Sequence, residues 1–302
     1  MNVLSIATDC SGIEAPIQAL LQMKIKFKHK WSSEIDPFAR QSLLANYKPE
    51  TLYTDITQRD HTKLPYVDIY VCVFPCQPFS SLGKRLGTND SRGNIMLHCI
   101  ETIKHSKPTL FILENVKRFK TIEKTQPFNF LIQQLESLNY NVAHFVLNTK
   151  DYGLPQNRER IYIIGTLKTS NLTSPVNPPK TVPMKPLEDV LSNYYLQTTI
   201  SPSLLKNLNR ITDKRNYIVT PFTFSSICTI SPTLTTNCMK FYTTQYKRYL
   251  IIKECLALQG FPINFKQVVS NYQLFKQIGN SMSVPVLVHI FKQVNVKKLT
   301  KK

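Results

Sequence analysis

The chain has 302 residues, of which 42% are hydrophobic and 10% aromatic, and these proportions exclude an intrinsically disordered protein. A formal net charge of +19 favours a polyanionic partner, either nucleic acid or an anionic membrane surface. No apolar run approaches the roughly eighteen residues that span a bilayer, and the N-terminus lacks the pattern of a signal peptide. We therefore expect an intracellular protein with no membrane segment, in the cytoplasm of a bacterial or phage-infected cell, or in the nucleus of a eukaryotic host.

The seven cysteines are odd in number and include no C-x-x-C pair. This spacing supports neither a disulfide framework nor a structural zinc site. We expect reduced thiols and no bound metal.

The first element is a predicted strand over Val3 to Ala7, followed by a turn around Gly12 and then a helical pattern. Glycine permits backbone geometry that side chains forbid, and the start of a helix offers free N–H groups to a ligand. The full G-x-G-x-x-G fingerprint is absent, which argues against a dinucleotide and leaves other nucleoside cofactors open.

Two acids come next. Trp31 closes the predicted second strand, and Glu34 follows it by three residues, where nucleotide-binding α/β folds place a carboxylate that accepts hydrogen bonds from ribose hydroxyls. The alternative is an acid favoured by the dipole of a helix N-terminus. Asp55 follows another short extended segment and lies on the same predicted rim of the sheet.

The stretch from Ile69 to Phe74 predicts a buried strand that must end at Pro75, because proline cannot donate to a sheet ladder. Cys76 is therefore held at the carboxyl end of a strand, where ligands bind in open α/β sheets, and it is a candidate nucleophile. The alternative for a cysteine considered alone is an inert packing residue. The Gly- and Ser-rich loop that follows offers Lys84, Arg85 and Arg92 to phosphates, unless it is simply a solvated surface loop.

Glu114 stands at the end of the apolar run Leu110 to Leu113, as Cys76 does after its own strand. Burying an unpaired acid is unfavourable, so a carboxylate at this position indicates a functional partner. Farther on, Gln156, Arg158 and Arg160 alternate, which on one extended strand would place them on one face. Two arginines on one face require an anionic or carbonyl-rich receiver; the alternative is a surface salt-bridge network through Glu159.

From residue 169 the sequence becomes rich in proline and small polar residues, which indicates a connection out of the sheet domain. Residues 168–271 carry twelve basic residues against four acids, with aromatic residues interleaved, a composition suited to nucleic acid. We predict a catalytic and cofactor-binding domain over 1–168 plus 272–302 and a small target-recognition domain over 169–271.

Taken in order, six motifs resemble those of the cytosine-C5 DNA methyltransferase family. They are PCQPFS at 75–80, ENV at 114–116, Gln-x-Arg-x-Arg at 156–160, SPTLT at 231–235, LQGFP at 258–262 and GNSMSVPV at 279–286. The SGIEA turn at 11–15 looks like the variant found in some phage and viral members. The resemblance implies an α/β fold, with a Rossmann-like S-adenosylmethionine-dependent methyltransferase sheet domain and a smaller target-recognition domain.

The resemblance also implies an activity, DNA (cytosine-5-)-methyltransferase, acting as a monomer on double-stranded DNA. Cys76 would attack C6 of a flipped cytosine, and Glu114 would hold or protonate N3. Arg160 would contact the cytosine O2, with Arg158 and Gln156 supporting the pocket.

For S-adenosylmethionine, the resemblance places Gly12 and its neighbours at the methionine end, Glu34 on the ribose and Asp55 near the adenine. The full set implied for the cofactor is Ser11, Gly12, Ile13, Glu34, Ile35, Asp55, Ile56, Pro75, Ile95 and Asn280.

The first motif departs from the family pattern, because Cys10 stands where an aromatic residue commonly stacks on the cofactor, and Glu14 and Ala15 replace a glycine pair. Two alternative hypotheses remain. One is a tRNA cytosine-5 methyltransferase with the same chemistry. The other is a catalytically silent nucleic-acid-binding protein that has lost the cofactor through these changes.

Overall fold

The computed structural model describes residues 3–75, 95–121, 125–192, 199–211, 217–221 and 229–301. Four of the predicted site residues, Cys76, Lys84, Arg85 and Arg92, lie outside these ranges.

A central sheet with helices on its faces dominates the described ranges. In chain order the strands are β1 (Leu4–Asp9), β2 (Phe27–Ser33), β3 (Thr51–Tyr53), β4 (Ile69–Val73), β5 (Leu110–Val116), β6 (Tyr140–Asn148), β7 (Gln156–Asn157), β8 (Glu159–Leu167), β9 (Ile218–Val219), β10 (Ser231–Pro232), β11 (Tyr242–Thr243) and β12 (Arg248–Tyr249). Seven of these strands form one sheet in the order β3-β2-β1-β4-β5-β8-β6. The remaining strands form a pair, β10-β7, and a small sheet, β12-β11-β9.

The α-helices are α1 (Ala15–Gln22), α2 (Pro37–Asn46), α3 (Ile95–Ser106), α4 (Gln126–Ser137), α5 (Pro202–Leu208), α6 (Ile252–Gln259), α7 (Asn271–Asn280) and α8 (Val284–Gln293). Within the described ranges, none of these helices combines the length and the apolar character needed to cross a membrane. The order of strands and helices confirms the predicted α/β fold class.

The directions of the strands bring the carboxyl ends of several of them to a single edge of the sheet. Strands β1 to β5 are parallel, so their carboxyl ends lie at the same edge. Strand β8 runs antiparallel to β5, so its amino end lies at that edge as well. The chain moves in opposite directions from β1, toward β2 on one side and β4 on the other, which is the switch point where α/β sheets bind ligands.

The central strands are apolar on both faces because helices cover both sides of the sheet. Val71 and Ile112 belong to one buried cluster, whereas their neighbours Cys72 and Leu113 belong to the other. This alternation follows from the two-residue period of a strand. The register of the sheet is therefore fixed. The positions of the residues at the edge with the carboxyl ends of β1 to β5, called the functional edge below, are fixed with it.

Several strand limits differ from those expected from the sequence. Strand β2 continues past Trp31 to Ser33, so Glu34 follows the strand directly. Strand β5 continues to Val116 because β8 pairs with it over its whole length, and Glu114 therefore lies inside the strand.

The prediction of one strand carrying Gln156, Arg158 and Arg160 on the same face is wrong. The chain forms β7 and β8 with Arg158 between them, because Gln156 and Asn157 pair with β10 while the chain from Glu159 onward pairs with β5 and β6. The three side chains consequently reach three different surroundings.

Gly279 and Asn280, the first two residues of the GNSMSVPV motif, complete α7. A Cβ at Gly279 would come within 2.2 Å of the backbone of Thr235. The glycine is required here because the SPTLT segment packs directly against the helix backbone.

Candidate active site

Glu114 lies at the functional edge of the sheet, between two neighbouring strands. It is paired with Val73 on one side and with Tyr162 on the other, and its side chain is only 3% exposed. The next residue, Asn115, donates from Nδ2 to the carbonyl oxygen of Phe74 at 2.9 Å. This bond ties the residue after Glu114 to Phe74, which precedes Cys76 by two residues in the sequence.

The described residues leave the hydrogen bonding of the Glu114 carboxyl group incomplete. Arg160 Nε lies 3.3 Å from Glu114 Oε1, yet no donor in the described residues makes a hydrogen bond of good geometry to that oxygen. Burial raises the pKa of Glu114, and the nearby guanidinium groups of Arg160 and Arg158 oppose this shift. The buried carboxyl group therefore holds a proton more readily than a free one, and it could give a proton or a hydrogen bond to a substrate.

Arg160 reaches Glu114 because of the strand register. It is paired with Val116, two residues after Glu114 and on the same face of β5, so the two side chains are diagonal neighbours. The Arg160 side chain is 17% exposed, and its Nη1 donates to the carbonyl oxygen of Glu159 at 2.8 Å. The guanidinium group thus lies at the opening of the site.

Arg158 is buried among backbone carbonyls. Its Nη1 donates to Leu234 at 2.8 Å, and its Nη2 donates to Ser281 at 2.7 Å and Gly279 at 3.3 Å. The residue is 3% exposed, and burial is the largest cause that lowers its pKa to about 10. Arg158 therefore ties the SPTLT and GNSMSVPV segments to the sheet behind Arg160.

Gln156 makes a second connection between motifs that are distant in the chain. Its Nε2 donates to the carbonyl oxygen of Leu258 at 2.8 Å and to Gln259 Oε1 at 2.7 Å. Its Oε1 accepts from the backbone N–H of Leu234 at 3.1 Å. Because Gln156 is fully buried, its side chain holds these segments of the chain together inside the protein.

The expected receivers of the two arginines are present. Arg158 meets carbonyl oxygens and Arg160 meets the carboxyl group of Glu114. The alternative interpretation placed the two arginines in a surface salt-bridge network through Glu159. The Glu159 side chain instead pairs with Lys117 at 3.0 Å, on the surface.

A second part of the edge lies at the carboxyl ends of β1 and β2. Gly12 has a φ of 53°, and a Cβ built on it would meet no atom within 4 Å, so the turn faces open space. The backbone N–H of Gly12 donates to Glu34 Oε2 at 2.7 Å, while Glu34 Oε1 accepts from the N–H of Asp36 at 2.9 Å. Burial raises the pKa of Glu34.

The apolar residues predicted to contact the cofactor differ in exposure. Ile13 and Ile56 are buried in the core, whereas Ile35 is 71% exposed beside Glu34. Asp55 accepts from the N–H of Thr57 at 2.8 Å and so begins a short 3-10 helix. Of the others, Pro75 is exposed after β4, Ile95 is half-buried at the first residue of α3, and Asn280 is exposed at the last residue of α7.

Sequence reasoning missed a buried ion pair beneath this edge. Arg59 donates to both carboxylate oxygens of Asp9, the last residue of β1, and Tyr70 donates to Asp9 Oδ2 at 2.8 Å. The usable signal was an acid at the end of a buried strand, since such an acid needs a partner.

A metal centre is not apparent in the described ranges, since they contain no cluster of three or more His, Cys, Asp or Glu side chains suited to hold an ion.

This chain is similar to known proteins and to solved structures over most of its length. The chain is 36% identical over 279 residues to the Type II methyltransferase M1.ScrFI of Lactococcus lactis subsp. cremoris, covering 87% of this chain and 70% of that protein. It is 35% identical over 272 residues to the Type II methyltransferase M.HaeII of Haemophilus aegyptius, covering 86% and 83%. The crystal structure of the S. pombe Dnmt2 methyltransferase superposes with a TM-score of 0.75 at 20% identity, covering 98% of this chain and 99% of that one, which shows a shared fold.

The model of the family described as C-5 cytosine-specific DNA methylase matches residues 1–296. That span includes every strand and α-helix described above, together with the edge that carries Gly12, Glu34, Glu114 and Arg160. With this match and relatives above 30% identity, the chain belongs to the C-5 cytosine-specific DNA methylase family.

Proposed function

We propose that this DNA (cytosine-5-)-methyltransferase methylates C5 of a flipped cytosine through a covalent bond between Cys76 Sγ and C6 of the ring. The observation that carries the proposal is the buried carboxyl group of Glu114, with Arg160 Nε at 3.3 Å and no hydrogen bond to Oε1 from the described residues. The bond from Asn115 to Phe74 supports a position for Cys76 beside this pair.

The proposed residues act on the ring in sequence. The Cys76 thiolate adds to C6, and the electron pair of the C5–C6 bond moves toward C5 and the N3 side of the ring. Glu114, whose pKa is raised by burial, donates its proton or a hydrogen bond to N3, while Arg160 donates to O2. After methylation, water takes the C5 proton, the electron pair of that C–H bond restores the C5–C6 double bond as the thiolate leaves C6, and the N3 proton returns to Glu114.

The family and its fold are those of S-adenosylmethionine-dependent methyltransferases. Bound S-adenosylmethionine would supply the methyl group as an electrophile. The open space at Gly12, the carboxyl group of Glu34 at the switch point and the exposed side chain of Ile35 support a nucleoside site here.

In this proposal, the cofactor-binding turn contributes Ser11, Gly12 and Ile13 at the methionine end, and Glu34 binds the ribose hydroxyls. The remaining side chains proposed to surround the cofactor are Ile35, Asp55, Ile56, Pro75, Ile95 and Asn280.

For the DNA, we propose that residues 169–271 recognise the target sequence while Lys84, Arg85 and Arg92 contact phosphates, with the protein acting as a monomer. The twelve basic residues against four acids in residues 168–271 support this assignment. Gln156 and Arg158 would position the pocket through the contacts described above.

The experiment is a covalent trap with DNA that carries 5-fluorocytosine, since fluorine cannot leave from C5 as a proton does. Incubation with S-adenosylmethionine should give a complex that survives denaturing electrophoresis. Cys76→Ala should form none, whereas Cys72→Ala, which removes a thiol from the same segment, should still form it. No adduct on any mixed-sequence DNA would contradict the proposal. Bisulfite sequencing of DNA from cells that express the chain would then give the recognised sequence.

A further inference from the structure

Glu14 occupies an unfavourable position next to the turn proposed to bind the cofactor. It immediately precedes α1, is fully buried, and has a φ of 62°, in the left-handed region that disfavours residues other than glycine. Its Oε2 has no hydrogen-bond partner in the described part of the chain. Two unfavourable features at one functional position indicate a compensating interaction.

That interaction is a set of hydrogen bonds to one carboxyl oxygen. Glu14 Oε1 accepts from Thr8 Oγ1 at 2.8 Å and also from Ser32 Oγ. Thr8 belongs to β1 and Ser32 to β2, and Thr8 Oγ1 lies 2.9 Å from Ser11 Oγ. A single buried oxygen therefore joins the two strands whose ends carry Ser11 and Glu34.

We propose that Glu14 is a positioning residue for S-adenosylmethionine, because its side chain fixes the Ser11–Gly12 turn against β2 and so sets where the turn meets the cofactor. This inference rests on the proposed cofactor site. It gives a reason for an acid at a position where the resembled family commonly has glycine: the strands are held by side-chain hydrogen bonds instead of by a small residue.

The titratable groups around Glu14 indicate which protonation state of its carboxyl group fixes the Ser11–Gly12 turn. Burial raises its pKa to about 8, against the lowering effect of the hydroxyl donors, and the nearby Glu34 raises it further. His29 Nε2 lies 3.6 Å from Glu14 Oε1, but burial lowers the pKa of His29 to about 4, so both groups are neutral at pH 7. Tyr47 also faces Glu14, and both burial and that carboxyl group raise its pKa. Above pH 8, Glu14 would acquire a buried negative charge close to Glu34, which should loosen the turn.

The test is calorimetric binding of S-adenosylmethionine to the full chain without DNA. At pH 7, Glu14→Gln should bind within about twofold of the unmodified protein, because the amide oxygen keeps the accepting role. Glu14→Ala should bind about tenfold more weakly or worse, since it removes both hydrogen bonds. Thr8→Val, which keeps the shape but removes one donor, should weaken binding in the same direction.

A pH series separates this role from a purely structural one. From pH 7 to 9.5 the dissociation constant of the unmodified protein should rise more than that of Glu14→Gln, since ionisation of the ligand affects both proteins equally. Unchanged affinity in Glu14→Ala, or in Thr8→Val if the alanine variant does not fold, would overturn the inference, as would identical pH curves. If the unmodified protein binds no cofactor, the proposed cofactor site fails together with the inference.

Discussion

Arg160 Nε lies 3.3 Å from Glu114 Oε1, between the antiparallel strands β8 and β5, where Arg160 is paired with Val116, two residues after Glu114. The pair combines a carboxyl group that is 3% exposed with a guanidinium group that is 17% exposed. Burial favours the neutral form of the acid and the guanidinium group opposes that shift, while the cation can meet electron density that develops on a substrate. The two residues have different roles, and variants of each should fail differently.

Glu114→Gln should lower kcat by roughly 10² to 10⁴-fold, because glutamine keeps the shape and the hydrogen-bonding groups but cannot give a proton. The substitution also replaces a buried ionisable group by a neutral one of the same shape, so the free energy of unfolding should not fall. Initial rates of methyl transfer to DNA, with urea unfolding of the same samples, measure both quantities. The matched control is Glu101→Gln on α3, an acid 43% exposed. A rate within threefold of the unmodified enzyme would contradict the role of Glu114.

Arg160→Ala should lower kcat by roughly 10² to 10³-fold, the usual effect of removing one donor that stabilises charge in the transition state. Because Arg160 is partly exposed, the loss of stability should stay near 1 kcal/mol or less. Without the guanidinium, the pKa of Glu114 should rise further, since Arg160 lowers it. Rates measured over a pH series would detect this as an alkaline limb displaced to higher pH, because activity falls where the Glu114 carboxyl group loses its proton. A fully active Arg160→Ala variant would contradict the assignment.

Arg158→Met should act mainly on folding, because three backbone carbonyl oxygens lose their donors inside the protein. We expect a loss of about 3 kcal/mol or more in the free energy of unfolding, at roughly 1 to 3 kcal/mol for each unsatisfied buried group. Urea unfolding followed by circular dichroism measures it. Normal stability with strongly reduced activity would instead place Arg158 in direct contact with the substrate.

Local sequence patterns identified the segments that bear the site. The apolar run from Ile69 and the proline that ends it predicted β4, and the acid after Leu113 predicted a functional group at the sheet edge. These features are local, since strand period and proline chemistry act over a few residues.

The contacts of Gln156 and Arg158 could not be predicted in the same way. Their partners lie 76 to 123 residues away in the chain, and periodicity does not indicate which segments meet. The Asp9–Arg59 pair was missed because the predicted first strand ended at Ala7, where the apolar run stops. The strand continues through Thr8 and Asp9 because Arg59 and neighbouring hydroxyl groups satisfy them inside the protein.

His29 should make the protein sensitive to acid. Burial lowers its pKa to about 4 from 6.5, so the folded state keeps it neutral while the unfolded chain takes up a proton below pH 6.5. Stability is therefore fully present above pH 6.5 and is lost as the pH falls toward 4, by up to about 3 kcal/mol from this group. His29→Gln should flatten that part of the curve in urea unfolding at pH 7, 5.5 and 4.5. Equal slopes in the two proteins would contradict this account.

The last prediction concerns a buried ion pair that joins β12 to α6. Arg248 donates to both carboxylate oxygens of Glu254, at 2.9 and 2.7 Å, and Glu254 also accepts from the backbone N–H of Ser192 at 2.8 Å. Removing one member of a buried pair leaves the other charge uncompensated, so Glu254→Ala should lower the free energy of unfolding by roughly 3 to 5 kcal/mol.

An exposed ion pair supplies the control for this prediction. Lys117 and Glu159 are separated by 3.0 Å, yet their side chains are 59% and 46% exposed, so Lys117→Ala should change stability by less than about 1 kcal/mol. Urea unfolding gives both values. Because Glu254 holds residues 192 and 248 together, limited proteolysis of Glu254→Ala should cut first within residues 169–271. Equal stability losses in the two variants would mean that Arg248 and Glu254 contribute no more than a surface pair, and that other contacts hold this segment.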